Sequence, residues 1–183
     1  IPIYTDESKE EVMKYCEEVV ESLEKLVDGI ELDSRDFQSP GFKFNEWEKK
    51  GVPVRIEIGK RDIDQGKIIL VRRDTGEKEG VDKGEIGSRV LAVLEDIQNS
   101  LLNNSSEILK QGTHAVQSYD EFKALLKDKK GFIKALWCGS LQCEESIKYE
   151  SKATTRYHFG EKEGKCIYCG KQAHEEWVFA IPY

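Results

Sequence analysis

Along the first thirty residues, apolar positions recur every three to four places. Val12, Cys16, Val19, Val20, Leu23, Leu26 and Val27 fall on one stripe of a helix. Thr5 and Asp6 are placed to cap that helix and Gly29 to stop it. Cys16 lies within the stripe and reads as a small core residue. Ahead of it, "IPI" reads as the tail of a truncated strand in a chain that starts inside a larger protein. The pattern then shortens. "GIELDS" predicts a short strand, Ser39-Pro40-Gly41 a break, and "FNEWEKKG" a short helix ending at Gly51. "VPVRIEIG" (52–59) alternates with period two as a strand, turns through "KRDIDQG" and returns as "KIILVRRD" (67–74). "TGEKEGVDKG" holds a further turn and a short edge strand.

Helical periodicity resumes at Ile86, Val90, Leu91, Leu94, Ile97, Leu101 and Leu102, and "NNSS" (103–106) and Gly112 weaken it beyond 102. "SYDEFKALLKD" (118–128) adds a helix opened by a capping serine. After it come a strand (GFIKALW), a helix (LQCEESIKYE), a strand (ATTRYHF), a tight knuckle (GKCIYCGK) and a last strand (EEWVFAI). The expected organisation is an α/β domain over 1–83, a helical connector over 84–129 and a small cysteine-bearing α/β domain over 130–183.

With 34% charged and 38% hydrophobic residues the chain suits a globular protein, and no apolar run is long enough to span a bilayer. No basic-then-apolar leader is present, so a cytoplasmic location without membrane contact is expected. The net charge of −7 argues against a general electrostatic coat for nucleic acid. The charge is uneven, however. From Thr5 to Asp36 twelve acids face four bases, whereas from Arg55 to Arg73 six bases face three acids. Any nucleic-acid contact should therefore be small and specific.

Four of the five cysteines lie near the end, as Cys138-x4-Cys143 and Cys166-x2-Cys169. Four thiolates in two close pairs suit a tetrahedral structural zinc, which leaves no open position for a substrate. The glycine after Cys169 lets the backbone fold tightly round a metal. A thioredoxin-like redox pair, four unligated core thiols, or His158 or His174 in place of one sulfur are the other readings.

The stretch "SPGFKFNEWEKKGVPVRIEIGKRDIDQGKIILVRRDTGEK" (39–78), followed by "FIKALWCGSLQCEESIK", "ATTRYHF" and "GKCIYCGK", resembles the C-terminal half of prolyl-tRNA synthetases of the archaeal and eukaryotic type. The resemblance covers nearly the whole chain. It implies a class II synthetase anticodon-binding domain, a mixed sheet flanked by helices, followed by a small α/β zinc-binding domain. It departs at Gly59-Lys60-Arg61-Asp62, where the family commonly has a proline second, near Leu136, where a proline or another small residue is usual, and at the closing Ala180-Ile181-Pro182-Tyr183.

The family joins proline to its tRNA using ATP and Mg in a catalytic domain that is absent here, so this segment is expected to be inactive alone and to have no catalytic residue. Its implied partners are the anticodon loop of tRNA(Pro) and that catalytic domain, within a homodimeric full enzyme. Proline anticodons share two guanines, each offering donors at N1 and N2 and acceptors at O6 and N7. A carboxylate meets the donors and an arginine fork the acceptors. Glu48, Arg55 and Arg61 match the family's base-contacting positions and Lys78 a further basic one. Cys138, Cys143, Cys166 and Cys169 match its zinc site, and the Tyr183 carboxylate the tail that reaches its active site, although Tyr183 reads equally as a hydrophobic tail residue packed on the last domain. Phe42, Phe44 and Trp47 are either stacking platforms or core. Without the resemblance, Glu48 and Arg55 read first as a surface ion pair. Arg72 and Arg73 read as phosphate contacts or solvated groups, Glu57 and Asp62 as structural, and His114 as a surface residue. A stand-alone RNA-binding module and a protein-interaction scaffold are the competing functions.

Overall fold

The computed structural model describes residues 1–128 and 131–182. The expected boundary at 129/130 and the terminal Tyr183 therefore lie outside the described residues. The chain divides into two units, Ile1–Leu102 and Asn103–Tyr183.

The first unit is a four-stranded sheet of order β1-β2-β3-β4. Strand β1 (Pro2–Ile3) runs parallel to β2 (Val54–Gly59), while β3 (Lys67–Arg72) and β4 (Lys78–Asp82) continue antiparallel. Period-two alternation gives this sheet two unlike faces. Ile58, Ile68, Leu70 and Val81 enter a core with Val12, Cys16, Val19 and Leu23 of α1 (Lys9–Leu23). Ile86, Val90, Val93 and Ile97 of α4 (Ile86–Gln111) complete that core. In the register Arg55↔Val71↔Lys78 and Glu57↔Ile69↔Gly80, the other face carries the charged residues of the candidate site. Burial pushes the Cys16 thiol up, as suits an inert core cysteine.

Several local expectations are corrected. Helix α1 begins at Lys9 after Ser8, not at a Thr5–Asp6 cap, and ends at Leu23. "GIELDS" forms no strand. It is a loop whose Asp33 carboxylate is only 4% exposed, so its polar groups are satisfied by side chains rather than by a ladder. "KRDID" is a short helix, α3 (Lys60–Asp64), because the Asp62 carboxylate accepts from the Gly59 N–H at 2.8 Å and so holds its start. Lys60, in place of the family's proline, occupies a first-turn position and pairs with Glu11 at 2.8 Å and Asp64 at 2.6 Å. Helix α4 runs through "NNSS", since those residues cost only tenths of a kcal/mol each and the following "EILKQ" favours helix.

Helix α2 (Pro40–Lys49) starts where Ser39 Oγ accepts from the Phe42 N–H at 3.3 Å and Pro40 supplies a preset φ. Its inward residue is a lysine. Lys43 is 2% exposed and donates to the Asp33 carbonyl at 3.0 Å, whereas Phe42 stays exposed. Asp33 in turn accepts from Arg35 Nε at 2.8 Å and Nη2 at 2.6 Å, and from Trp47 Nε1 at 2.8 Å. Arg35 closes the network on Glu46 at 2.7 Å.

The second unit packs α5 (Tyr119–Asp128) and α6 (Leu141–Ser151) with a sheet of order β5-β6-β8-β7. Ser118 Oγ accepts from the Glu121 N–H at 3.3 Å, the cap expected for α5. Strand β5 (Thr113–Ala115), which includes His114, runs parallel to β6 (Phe132–Trp137). Its three residues are too few for a period to be read from the sequence. Strands β7 (Thr154–Lys165) and β8 (Gln172–Ala180) form a long hairpin with register shifts. Phe122, Ile133, Ala135, Ile147, Ala153, Ile167 and Phe179 form the core. No helix among the described residues is long and apolar enough to cross a membrane.

The Asp33 network yields a pH prediction with a definite sign. Hydrogen bonds from Arg35, then Trp47, hold the Asp33 carboxyl well below the usual carboxylate range. Its stabilisation is therefore complete above the unfolded value of 3.8 and is lost as pH falls below that toward the lower folded value. Asp33→Asn is expected to cost about 3–5 kcal/mol near neutral pH, because it removes the negative charge 3.8 Å from the buried Lys43 ammonium while leaving only the backbone carbonyl to that cation. It should also flatten the acid limb of the stability curve, and urea midpoints measured between acidic and neutral pH read both effects.

Candidate functional site

Of the four expected RNA-binding residues, Glu48, Arg55 and Lys78 come together over the polar face of the first sheet. Arg55 Nη1 donates to Glu48 of α2 at 2.6 Å and Arg55 Nε to Glu57 at 3.0 Å. Lys78 Nζ reaches across from β4 to both Glu57 oxygens, at 3.1 and 2.9 Å. The Phe44 ring lies under the Arg55 guanidinium, whose carbon is 4.3 Å from the ring centroid, and 5.7 Å from Lys78 Nζ. Two acids and two bases make the cluster formally neutral. Arg55 and Glu57 are nearly covered, while Glu48 and Lys78 are about half exposed and form the accessible rim.

The ion-pair reading of Glu48 and Arg55 thus holds in the chain by itself, and Phe44 serves as a cation platform. Trp47 is half-buried, donates to Asp33, and is overlaid by Lys50 at 4.1 Å. Phe42, exposed at the start of α2, is available for stacking.

Arg61 does not join this cluster. It is exposed on α3, past the C-terminal end of β2, whereas Arg55 sits near the strand's start. Gly59 is four residues beyond Arg55 along the strand, about 13 Å of chain. Arg72 is committed to Asp74 at 2.8 Å and to Asp96, which leaves little of it for phosphate. Arg73 is exposed and borders a small hollow with Trp47, Glu48 and Arg55. Two residues that shape the site are not assigned to it from the sequence: Glu57 reads as structural, and Asp33 is not singled out. Glu57 joins Arg55 and Lys78, and its signal was the polar face of "VRIEIG"; Asp33 had no periodic signal at all.

In the second unit the four cysteine sulfurs lie within 4.8 Å of one another. Cys138 follows β6, Cys143 sits in the first turn of α6, and Cys166 and Cys169 bracket the knuckle between β7 and β8. The knuckle closes by the Gly170 N–H donating to Cys166 O at 3.0 Å, with Gly170 at φ +71°, a conformation that favours glycine. The Ile167 N–H, donating to Leu136 O at 2.8 Å, ties it to β6. Leu136 packs on Gly164, where an added Cβ would fall 2.4 Å from Leu136 Cδ1, so the larger residue at 136 is matched by the absence of one at 164.

Cys138 Sγ is 3.7 Å from Cys143 Sγ and 3.8 Å from Cys169 Sγ. Four sulfurs about 2.3 Å from a central ion sit about 3.8 Å apart, and a disulfide would need about 2.05 Å. The set fits a tetrahedral cation of thiophilic character. Burial pushes the Cys143 thiol up to about 12 and raises that of Cys166, while a hydrogen bond from the Lys171 backbone lowers Cys169 to about 7. His174 instead contacts Glu163 at 2.6 Å and His158 lies against Trp177, so neither histidine belongs to the cluster.

Two family models match the chain, one described as "Anticodon binding domain" over residues 1–92 and one as "Prolyl-tRNA synthetase, C-terminal" over residues 119–183. Among curated relatives, the proline–tRNA ligase of Natranaerobius thermophilus is 41% identical over all of this chain and 38% of its own length. That of Alkaliphilus oremlandii is 45% identical over 84% of this chain and 33% of its own. The ligase of Rubrobacter xylanophilus is 39% identical, again over all of this chain and 38% of its own. The chain thus spans between a third and two fifths of the length of these relatives. It belongs to the anticodon-binding-domain family, here joined to the C-terminal domain of prolyl-tRNA synthetases.

Proposed function

We propose that this chain is the tRNA-selecting and metal-stapled C-terminal part of a proline–tRNA ligase, of the archaeal and eukaryotic type suggested by its four-cysteine tail. The observation that carries this reading is the mixed cluster of Arg55, Glu57 and Lys78 on one sheet face with Glu48 of α2 beside it. A phosphate-gripping patch would be basic throughout. A neutral cluster with both an accessible carboxylate and a cationic fork instead matches the donor and acceptor edges of a guanine. Glu48 would meet N1 and N2, Arg55 would meet O6 and N7, and Lys78 the neighbouring acceptor or phosphate. Arg61, at the other end of β2, would reach a different nucleotide of the same loop. Activation of proline with ATP and Mg, and assembly as a homodimer, would belong to the rest of the enzyme.

In the second unit, Cys138, Cys143, Cys166 and Cys169 would hold a zinc ion. Bound there, zinc would act as a closed structural link joining the end of β6, the start of α6 and the β7–β8 knuckle, with no open position for substrate. Filling the site would release thiol protons from the buried cysteines.

Two measurements test these readings. The chain should bind a proline anticodon stem-loop at least about tenfold more tightly than one with both guanines replaced, and Arg55→Ala should remove that preference. Equal binding of both loops would overturn the reader role. Elemental analysis should find one zinc per chain, and chelation should lower the melting of the second unit by more than about 10 °C. A metal-free chain of unchanged melting would overturn the staple.

A further inference from the structure

We propose that Glu57 is the positioning residue of the base-reading cluster: its buried carboxylate fixes the plane of Arg55 and the reach of Lys78, and so sets which edge of a guanine the site accepts. This rests on the anticodon-reading function proposed above. Glu57 has no accessible edge of its own to offer a base, being 6% exposed. Its two oxygens are already engaged by Arg55 Nε at 3.0 Å and by Lys78 Nζ at 3.1 and 2.9 Å. One carboxylate on the central strand β2 thus orders cations from two different strands.

The consequence for Arg55 is geometric. A guanidinium is planar, and its orientation is set once two of its directions are fixed. The bond from Nε to Glu57 fixes rotation about the end of the side chain, and the Phe44 ring 4.3 Å from the guanidinium carbon fixes its tilt. With Nε held by Glu57, the two terminal nitrogens are the edge left to other partners, Nη1 on the Glu48 side. That is the fork that matches two acceptors on one purine edge. Nη1 meets Glu48 at 2.6 Å in the chain by itself. Glu48 is about half exposed, so its carboxylate is free to turn from Arg55 toward a base. Glu57 is not. The inner contact therefore persists while the outer one exchanges.

Charge gives a discriminating test. If Glu57 merely neutralises two cations, Glu57→Gln should leave Arg55 and Lys78 more attractive to any RNA. Binding would then tighten for all loops with the guanine preference unchanged. If Glu57 positions Arg55, the same substitution should reduce the preference by at least about tenfold while binding to the guanine-free loop stays equal or tightens. The experiment titrates proline and guanine-replaced stem-loops into the wild-type chain and into Glu57→Gln, each checked by thermal melting, at two salt concentrations. Glu57→Asp, which keeps the charge but withdraws the carboxylate from Arg55 Nε, is measured beside them. It should lose part of the preference with an unchanged salt slope, and it serves alone if Glu57→Gln does not fold. A wild-type chain without guanine preference would overturn the reader function and this inference with it. A wild-type preference retained in whichever variants fold would overturn the positioning role of Glu57 alone.

Discussion

A buried carboxylate must be surrounded by donors or it will not stay charged, and in the first unit Asp33 meets that requirement by fastening a loop to a helix. Its oxygens accept from Arg35 and from the Trp47 indole, while Lys43 donates to its backbone carbonyl. All of these donors except Arg35 belong to α2. The helix that carries Phe44, Trp47 and Glu48 is thus oriented by ionic and hydrogen-bonded contacts rather than by an apolar stripe. Such contacts are directional, and a small displacement breaks them, whereas apolar packing tolerates sliding. A site that distinguishes bases by hydrogen-bond geometry benefits from that stiffness.

The two units use charge and sulfur for different ends. On the first sheet, two acids and two bases cancel, so the cluster offers pattern rather than attraction, in keeping with a chain of net charge −7. Under the proposed reading, affinity for a polyanion would come from elsewhere on the unit, where Arg61 and Arg73 are exposed cations. In the second unit, four thiols converge from the end of a strand, the start of a helix and a hairpin knuckle. A metal link at that point would constrain three elements at once, which suits a small core.

Periodic elements were legible from the residues, and aperiodic ones were not. The α1 stripe, the alternation of β2 and β3, the cap of α5 and the cysteine spacing each repeat or pair at a fixed interval, and each is found in the structure. The loop at 29–34 looked like a strand because Ile30 and Leu32 alternate with polar residues. Its outcome was decided by Asp33, whose partners lie up to 14 positions away. Helix α3 was hidden because five residues are too short for a period, and its cap, the Asp62 carboxylate on the Gly59 N–H, is a single contact. For the same reason Glu57 read as structural. A polar residue on a strand face shows its partners only once the neighbouring strands are in register.

The most direct measurement is NMR of the arginine side-chain nitrogens in the chain titrated with a proline anticodon stem-loop. The expected result is a shift of the Arg55 terminal nitrogens and of Lys78 at saturation, with the Arg55 Nε–H remaining hydrogen-bonded to Glu57. Saturation of the stem-loop with Glu48, Arg55 and Lys78 all unperturbed would contradict base reading by this cluster and move recognition to another surface of the molecule.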